Sequence, residues 1–179
     1  MDNIFEMGTT ARHGDLLDGF SYYTFEYSRK KELQKFAESV SLVYNGSKKY
    51  PANCELIDVT NLDDAVSFKE EIINDLEFAV PDYMYFKKGN DFILNKKETK
   101  IAGYPNLIVE VWSDSNTLLD KQFKKYLYST SPITEHWYIE QDSNIVECYY
   151  GQEKIKNKNL ADILVSRDGI EFDLRYLKL

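Results

Sequence analysis

The chain contains few of the residues that build covalent cross-links or zinc sites. It has two cysteines, two histidines and four prolines among 179 residues. Cys54 and Cys148 lie far apart and have no metal-ligand spacing, so neither a disulfide framework nor a zinc site is expected. No apolar run approaches the ~20 residues of a membrane-spanning helix, and no charged-then-apolar signal follows Met1. We therefore expect a cytoplasmic protein without membrane association.

Basic charge is also scarce, because 22 Lys and Arg residues stand against 30 Asp and Glu residues, which gives a net charge of −8. Nucleic-acid binding draws much of its affinity from phosphate neutralisation, so this charge disfavours a nucleic-acid partner. Acids clustered around a metal would also lower the net charge. Hydrophobic residues at 43% and aromatic residues at 15% exclude a disordered chain. We predict a mobile lead-in over residues 1–12 and a single domain over residues 13–179.

A short apolar strand with one carboxylate in its middle is the most informative segment. It runs from Tyr104 to Ser113. Side chains of a strand alternate between its two faces, so Glu110 shares a face with Ile108 and Trp112. An ionised carboxylate is costly to bury there unless a cation or a donor offsets the lost hydration. Glu110 is therefore a candidate site residue.

A second apolar strand is predicted over Phe78–Phe86, and Asp82 is its only charge. Pro81 has no amide donor, which indicates a strand start or an edge position next to Asp82. Each acid alone could be a separate polar interruption at a strand end. Both together, each with apolar neighbours two residues away, favour a shared metal site. Without a metal, the two carboxylates should repel each other and raise the pKa of at least one.

The segment after Glu110 predicts a helix over residues 117–128, with Asn116 or Thr117 as the N-cap. Apolar residues at helical spacing are predicted to face the core, namely Leu119, Phe123, Tyr126 and Leu127. Asp120 and Lys124 lie four residues apart on one side. They could form a surface ion pair, or Lys124 could point back towards Glu110. Spacing alone leaves both possibilities open.

Two further elements are predicted from local patterns. Apolar spacing indicates an amphipathic helix over Ser28–Tyr44, ended by Gly46 as a left-handed C-cap. Glu32 and Glu38 would lie on that helix, either as solvated residues or as an accessory acid. A hairpin is predicted over residues 136–150, with its turn at 141–144. His136 in that hairpin is interpreted as a packing residue.

The order of these motifs resembles the Uma2 family of restriction endonuclease-like proteins, a branch of the PD-(D/E)XK nuclease superfamily. The family pattern has two acidic strands, a helix with Asp, Lys and Tyr four residues apart, and a further strand. The matching segments are Val80–Asp82, Pro105–Val111, the helix positions Asp120, Lys124 and Tyr128, and Glu135–Trp137. The superfamily lysine normally stands two residues after the glutamate, where this chain has Trp112. Lys124 is therefore the candidate for a lysine that has moved to the helix.

The resemblance implies an α/β fold with a restriction-endonuclease-like mixed central sheet flanked by helices. It implies a metal-dependent endonuclease acting on DNA. Asp82, Glu110 and the main-chain carbonyl of Val111 would hold Mg²⁺ or Mn²⁺, and Lys124 would assist catalysis. We also expect a homodimer. Two alternatives stay open: a catalytically inactive dimeric interaction module on a nuclease fold, and a hydrolase of a small phosphoester.

Overall fold

The computed structural model describes residues 4–37, 40–60 and 70–178. The helices in these ranges are α1 (Ile4–Arg29), α2 (Glu70–Asp75), α3 (Leu118–Ser129) and a 3-10 turn at Arg175–Leu177. The strands are β1 (Leu33–Ala37), β2 (Ser41–Ser47), β3 (Tyr50–Leu56), β4 (Glu77–Ala79), β5 (Tyr83–Lys87), β6 (Phe92–Leu94), β7 (Lys100–Gly103), β8 (Leu107–Trp112), β9 (Glu135–Glu140), β10 (Ile145–Tyr150), β11 (Glu153–Lys154), β12 (Lys158–Asn159), β13 (Leu164–Val165) and β14 (Glu171–Phe172).

The central sheet has the strand order β1-β5-β8-β9-β10-β11, and β12 also pairs with β10. Its β8–β9 pair is parallel, because α3 carries the chain from the end of β8 back to the start of β9. The other pairs of this sheet are antiparallel. A second sheet has the order β3-β2-β7-β6 with β4 on β2, and β13 pairs with β14. The predicted α/β class with a mixed central sheet is confirmed.

The two faces of the central sheet bury different partners. One face packs on α1 through Leu16, Leu17 and Phe20. The other face packs on α3 and on the second sheet. All six residues of β8 are buried, and their alternation between the two cores agrees with the prediction. Glu110 therefore lies on the face that α3 covers, between Ile108 and Trp112.

The helix predicted over Ser28–Tyr44 is wrong. Helix α1 ends at Arg29, and strands β1 and β2 follow. The apolar residues of this segment are buried in separate clusters instead of on one helix face: Leu33 in the first, Val40 in the second and Val43 in the third. Gly46 lies inside β2 at a register shift with φ of +115°, so it serves a strand irregularity instead of a helix end. Glu32 lies exposed in the turn before β1, and Glu38 lies outside the described residues.

Helix α1 begins at Ile4 and runs through the boundary predicted at residue 12. The division into a lead-in and one domain stays a prediction. Among the described residues, no helix is both long and apolar enough to span a membrane.

The single strand predicted over Phe78–Phe86 is also wrong, because residues 80–82 divide it. Strand β4 pairs with β2 in the second sheet, and β5 belongs to the central sheet. Pro81 cannot donate to a ladder, which explains a break at this position. The break places Asp82 directly before β5. The hairpin of β9 and β10 is present as predicted.

Helix α3 begins and ends close to the prediction. Thr117 is its N-cap and accepts a hydrogen bond from the amide of Asp120. Phe123 and Leu127 are buried as expected. The prediction is wrong for two residues, because Leu119 is 72% exposed and Tyr126 is 41% exposed. Tyr128 takes up the buried position instead, which turns the polar end of this tyrosine towards Glu110.

Candidate active site

Two neighbouring strands bring the predicted carboxylates to the same place. Strands β5 and β8 are antiparallel, and Tyr83 pairs with Val109. Extending this register by one residue sets Asp82 opposite Glu110. The carboxylate of Asp82 accepts a hydrogen bond from the amide of Val111, with 2.7 Å between Oδ2 and N. Asp82 is thus fixed to the backbone next to Glu110.

Lys124 reaches the same position from helix α3. Its ammonium lies 2.7 Å from Oε2 of Glu110 and also donates to the carbonyl oxygen of Val80 at 3.0 Å. Its side chain is only 13% exposed. Spacing left open whether Lys124 pairs with Asp120 or with Glu110. In the described structure Lys124 pairs with Glu110 and forms no ion pair with Asp120. Asp82, Glu110 and Lys124 are therefore brought together.

Glu110 is a buried carboxylate with one donor on each oxygen. It is 1% exposed, and its Oε1 accepts a 2.5 Å hydrogen bond from the hydroxyl of Tyr128. Burial raises the pKa of Glu110 to about 7. The charge of Lys124 opposes this rise and the charge of Asp82 adds to it. Burial is the largest cause of this rise in pKa, and the repulsion expected between two neighbouring acids acts in the same direction.

Tyr128 and its neighbours form a layer beneath Glu110. Tyr128 is fully buried, and burial raises its pKa well above the usual value, so its hydroxyl stays protonated and can donate. His136 lies in the same layer, with Nε2 2.9 Å from the carbonyl oxygen of Gly151 and Nδ1 2.7 Å from the hydroxyl of Tyr138. Since a carbonyl only accepts, Nε2 carries the proton and Nδ1 accepts from Tyr138. Burial lowers the pKa of His136 to about 4, so it is neutral near pH 7.

His13 is a site residue that sequence reasoning missed. It lies on α1, and its Nε2 is 3.5 Å from Oδ2 of Asp82. The signal was present in the chain, because His13 precedes Leu16, Leu17 and Phe20 at helical spacing. All three of those residues are buried against the central sheet. The same apolar stripe that docks the helix therefore carries His13 to the candidate site.

His13, Asp82 and Val111 border an open cleft of about 710 Å³, whereas Glu110 and Lys124 lie behind its lining. Its lining consists of His13, Asp82, Val111, Trp112, residues 113–116, Glu140, Gln141 and Asp142. Among the residues that the structure describes, no group of three or more His, Cys, Asp and Glu side chains is arranged to hold a metal ion. The predicted ligand set is smaller than such a group, since it has two carboxylates and one main-chain carbonyl.

Asn106 stands away from this cleft. Its Oδ1 accepts hydrogen bonds from the amide of Lys87 and from the side chain of Asn90, both at 2.8 Å. It therefore holds the chain together at the opposite end of β5, as a turn residue would.

Comparison with known proteins gave a match in sequence and a match in fold. The sequence model of the Uma2 family, described as "Putative restriction endonuclease", matches residues 59–177, which is more than half of the chain. The chain belongs to the Uma2 family. The matched range contains Asp82, Glu110 and Lys124, whereas His13 and the rest of α1 lie outside it.

The fold is also similar to a solved structure. A crystal structure described as "a putative nuclease belonging to DUF820", from Anabaena variabilis ATCC 29413, matches with a TM-score of 0.62 and 11% sequence identity. The match covers 94% of this chain and 82% of the other. At this identity the similarity concerns the fold. A comparison with curated proteins found no match. The family and the fold together support a nuclease-like protein.

Proposed function

We propose that this protein is a metal-dependent phosphodiesterase that acts as an endonuclease on DNA. The observation that carries the proposal is the convergence on Glu110: Asp82 stands opposite it, and Lys124 and Tyr128 each contact one of its oxygens. A buried acid with a strongly raised pKa beside an open cleft is typical of a functional site. The family and the fold of a nuclease support the same reaction class.

The residues present fit a divalent cation. Carboxylate and carbonyl oxygens are the ligands that Mg²⁺ and Mn²⁺ prefer, and we assign Asp82, Glu110 and the carbonyl of Val111 to this role. Positive charge added here would offset the burial and the repulsion that raise the pKa of Glu110. Bound there, Mg²⁺ or Mn²⁺ would supply Lewis-acid stabilisation of charge on a phosphoryl oxygen.

Lys124 would act on the substrate side of the site. Its ammonium is held by Glu110 and by the carbonyl of Val80, so its position is fixed before a substrate arrives. From there it would stabilise negative charge that develops on the phosphoryl oxygens or orient the attacking water. Tyr128 would act beneath the site, where its hydroxyl fixes the orientation of the Glu110 carboxylate. A homodimer and a cytoplasmic location stay predictions.

The acidic rim of the cleft favours one second candidate function. Asp114, Glu140 and Asp142 line the cleft together with Asp82. Such a rim repels the extended backbone of a nucleic acid more than it repels a small phosphoester. Hydrolysis of a small phosphodiester through the same residues is therefore the alternative.

A cleavage panel tests the proposal. Wild type with Mg²⁺ or Mn²⁺ should cleave a labelled DNA, and D82N, E110Q and K124A should each lose most of this activity. K156A is the control, because Lys156 is exposed and lies outside the residues that line the cleft. Its activity should stay near that of wild type.

The same panel includes RNA and a small chromogenic phosphodiester. Cleavage of the small ester without cleavage of nucleic acid would replace the DNA assignment with the second candidate. If wild type cleaves none of the substrates with either metal, the enzyme proposal fails and the inactive interaction module takes its place.

A further inference from the structure

A groove at the opposite end of β5 from Asp82 has an unusual charge. It has a volume of about 670 Å³ and is lined by Ser28, Lys31, Leu33, Gln34, Lys35, Phe86, Lys87, Lys88, Gly89, Asn90 and Phe92. Four of these residues are lysines, and none is acidic. We call this surface the basic groove. In a chain of net charge −8, a concave surface whose charged lining residues are all lysines departs from the average surface.

Internal ion pairing uses little of this positive charge. Lys87 lies 3.5 Å from Asp168, and Lys35 donates to the carbonyl oxygen of Ser21 at 2.6 Å. Lys31 and Lys88 form no ion pair with any residue in the described part of the chain. All four lysines are gathered around one concavity.

The backbone of the basic groove is well fixed. The amide of Lys31 donates to the carbonyl oxygen of Ser28 at the end of α1, and the amide of Lys88 donates to that of Glu32 at 2.8 Å. These bonds join the turn after α1 to the end of β5. Lys31 and Lys88 therefore extend from two segments that are held against each other, so the groove keeps its shape when it is empty.

An exposed aromatic ring lies beside one of the four lysines, next to the basic groove. Phe25 on α1 is 55% exposed, and the ammonium of Lys35 lies 5.9 Å from the centre of its ring. One turn later on the same helix, Ser28 lines the basic groove. Lysines along a groove together with an exposed ring are the features that bind single-stranded nucleic acid, since phosphates meet cations and bases stack on the ring. A duplex has no unstacked base to offer to Phe25.

The basic groove is within reach of the candidate active site. Asp82 stands just before β5, and Lys87 is its last residue. Five residues of extended strand span roughly 17 Å. A flexible single strand could therefore occupy the basic groove while another of its phosphates lies in the cleft.

We propose that the basic groove binds the phosphate backbone of single-stranded nucleic acid through Lys31 and Lys88, with a base stacked on Phe25. This inference rests on the proposed function for the choice of nucleic acid as the ligand. It assigns the positive charge that an otherwise acidic protein needs for such a partner. It also places the binding energy outside the cleft that Asp82 lines.

Binding measured without metal tests the lysines separately from cleavage. Fluorescence anisotropy in EDTA, with labelled oligodeoxynucleotide and oligoribonucleotide of one sequence, compares wild type with K31Q/K88Q across a range of salt. The double variant should bind about tenfold more weakly or worse at about 0.1 M salt, and its slope of log affinity against log salt should be smaller by about 1.4. K156Q/K178Q removes the same charge from exposed positions outside the groove and should match wild type. An equal loss in both double variants would assign the effect to net charge and overturn the proposal.

The aromatic contact is tested with F25A and its control Y50A, because Tyr50 is also exposed, at 59%, but lies in the second sheet. F25A should lose about tenfold in affinity for the single strand, and Y50A should lose none. Tighter binding of the matching duplex than of the single strand would contradict the proposal. Preference between DNA and RNA identifies which nucleic acid is bound.

The two proposals can fail independently. If the protein binds nucleic acid through the basic groove but cleaves none, the proposed function is contradicted and the groove assignment is kept. If K31Q/K88Q binds nucleic acid as tightly as wild type and cleaves it with the same KM, the groove assignment alone is contradicted. Circular dichroism and the Tm of each variant show whether the fold is kept.

Discussion

Replacing Glu110 with Gln should change how the stability of the metal-free protein depends on pH. The folded state raises the pKa of Glu110 from 4.5 to about 7, because the carboxylate is buried next to Asp82. The folded state therefore holds this proton more tightly than the unfolded chain does. The contribution of Glu110 to the free energy of unfolding is therefore fully present below pH 4.5 and is lost as the pH rises through about 7.

The size of this effect follows from the shift. At about 1.4 kcal/mol per pKa unit, the rise to about 7 corresponds to about 3 kcal/mol of stability lost by wild type across that window. Glu110→Gln cannot ionise, so it loses this part of the dependence. We expect the stability of the variant relative to wild type to increase by about 3 kcal/mol as the pH rises from 4.5 to about 8.

Urea denaturation of both proteins at a series of pH values, in EDTA, measures this difference. The absolute stability of Glu110→Gln also reflects its altered contacts with Lys124 and Tyr128, so the comparison rests on the change with pH. Glu140→Gln is the control, since Glu140 is exposed and pairs with Lys121 at the surface. Parallel pH profiles for wild type and Glu110→Gln would refute the account of Glu110.

Three further outcomes are expected. Tyr128→Phe removes the hydroxyl that donates to Glu110 at 2.5 Å, so the free energy of unfolding near pH 8 should fall by about 1.5–3 kcal/mol. The kcat of this variant should fall by a larger factor than its KM rises. Unchanged kinetics would exclude a positioning role for Tyr128. His136→Ala should lower the Tm because it leaves the buried hydroxyl of Tyr138 without its partner, while cleavage per folded molecule, measured below the new Tm, stays within about threefold of wild type. Gly46→Ala should destabilise by about 1–3 kcal/mol in urea denaturation, since φ is +115° and an added Cβ would lie 2.8 Å from Cys54 Cα; a neutral substitution would contradict the strain argument.

The elements that sequence reasoning predicted well are those with a local pattern and a consistent environment. Strand β8 is buried on both faces, so its alternation assigns Glu110 to one core without further information. Helix α3 has its own N-cap at Thr117 and a short apolar stripe that includes Phe123 and Leu127. Because α3 follows β8 after a short turn, the approach of Lys124 to Glu110 could be proposed from the chain alone.

The elements that failed depend on contacts distant in sequence. The apolar residues after Arg29 match helical spacing, yet they are buried in three separate clusters that only the assembled sheets create. The register that sets Asp82 opposite Glu110 comes from β5 pairing with β8 across an intervening hairpin of the second sheet. His13 reaches Asp82 only because α1 packs across the central sheet. Such placements follow from tertiary packing, which spacing along the chain does not encode.

Titration of Mn²⁺ into the metal-free protein near pH 8 tests the central claim most directly, because most Glu110 carboxylates are ionised there. The account predicts one Mn²⁺ bound per chain by wild type. It predicts much weaker binding by both D82N and E110Q, because each removes ligand charge, and retained binding by K124A. Wild-type binding that survives both D82N and E110Q, or no binding by wild type at all, would contradict a shared metal site at Asp82 and Glu110.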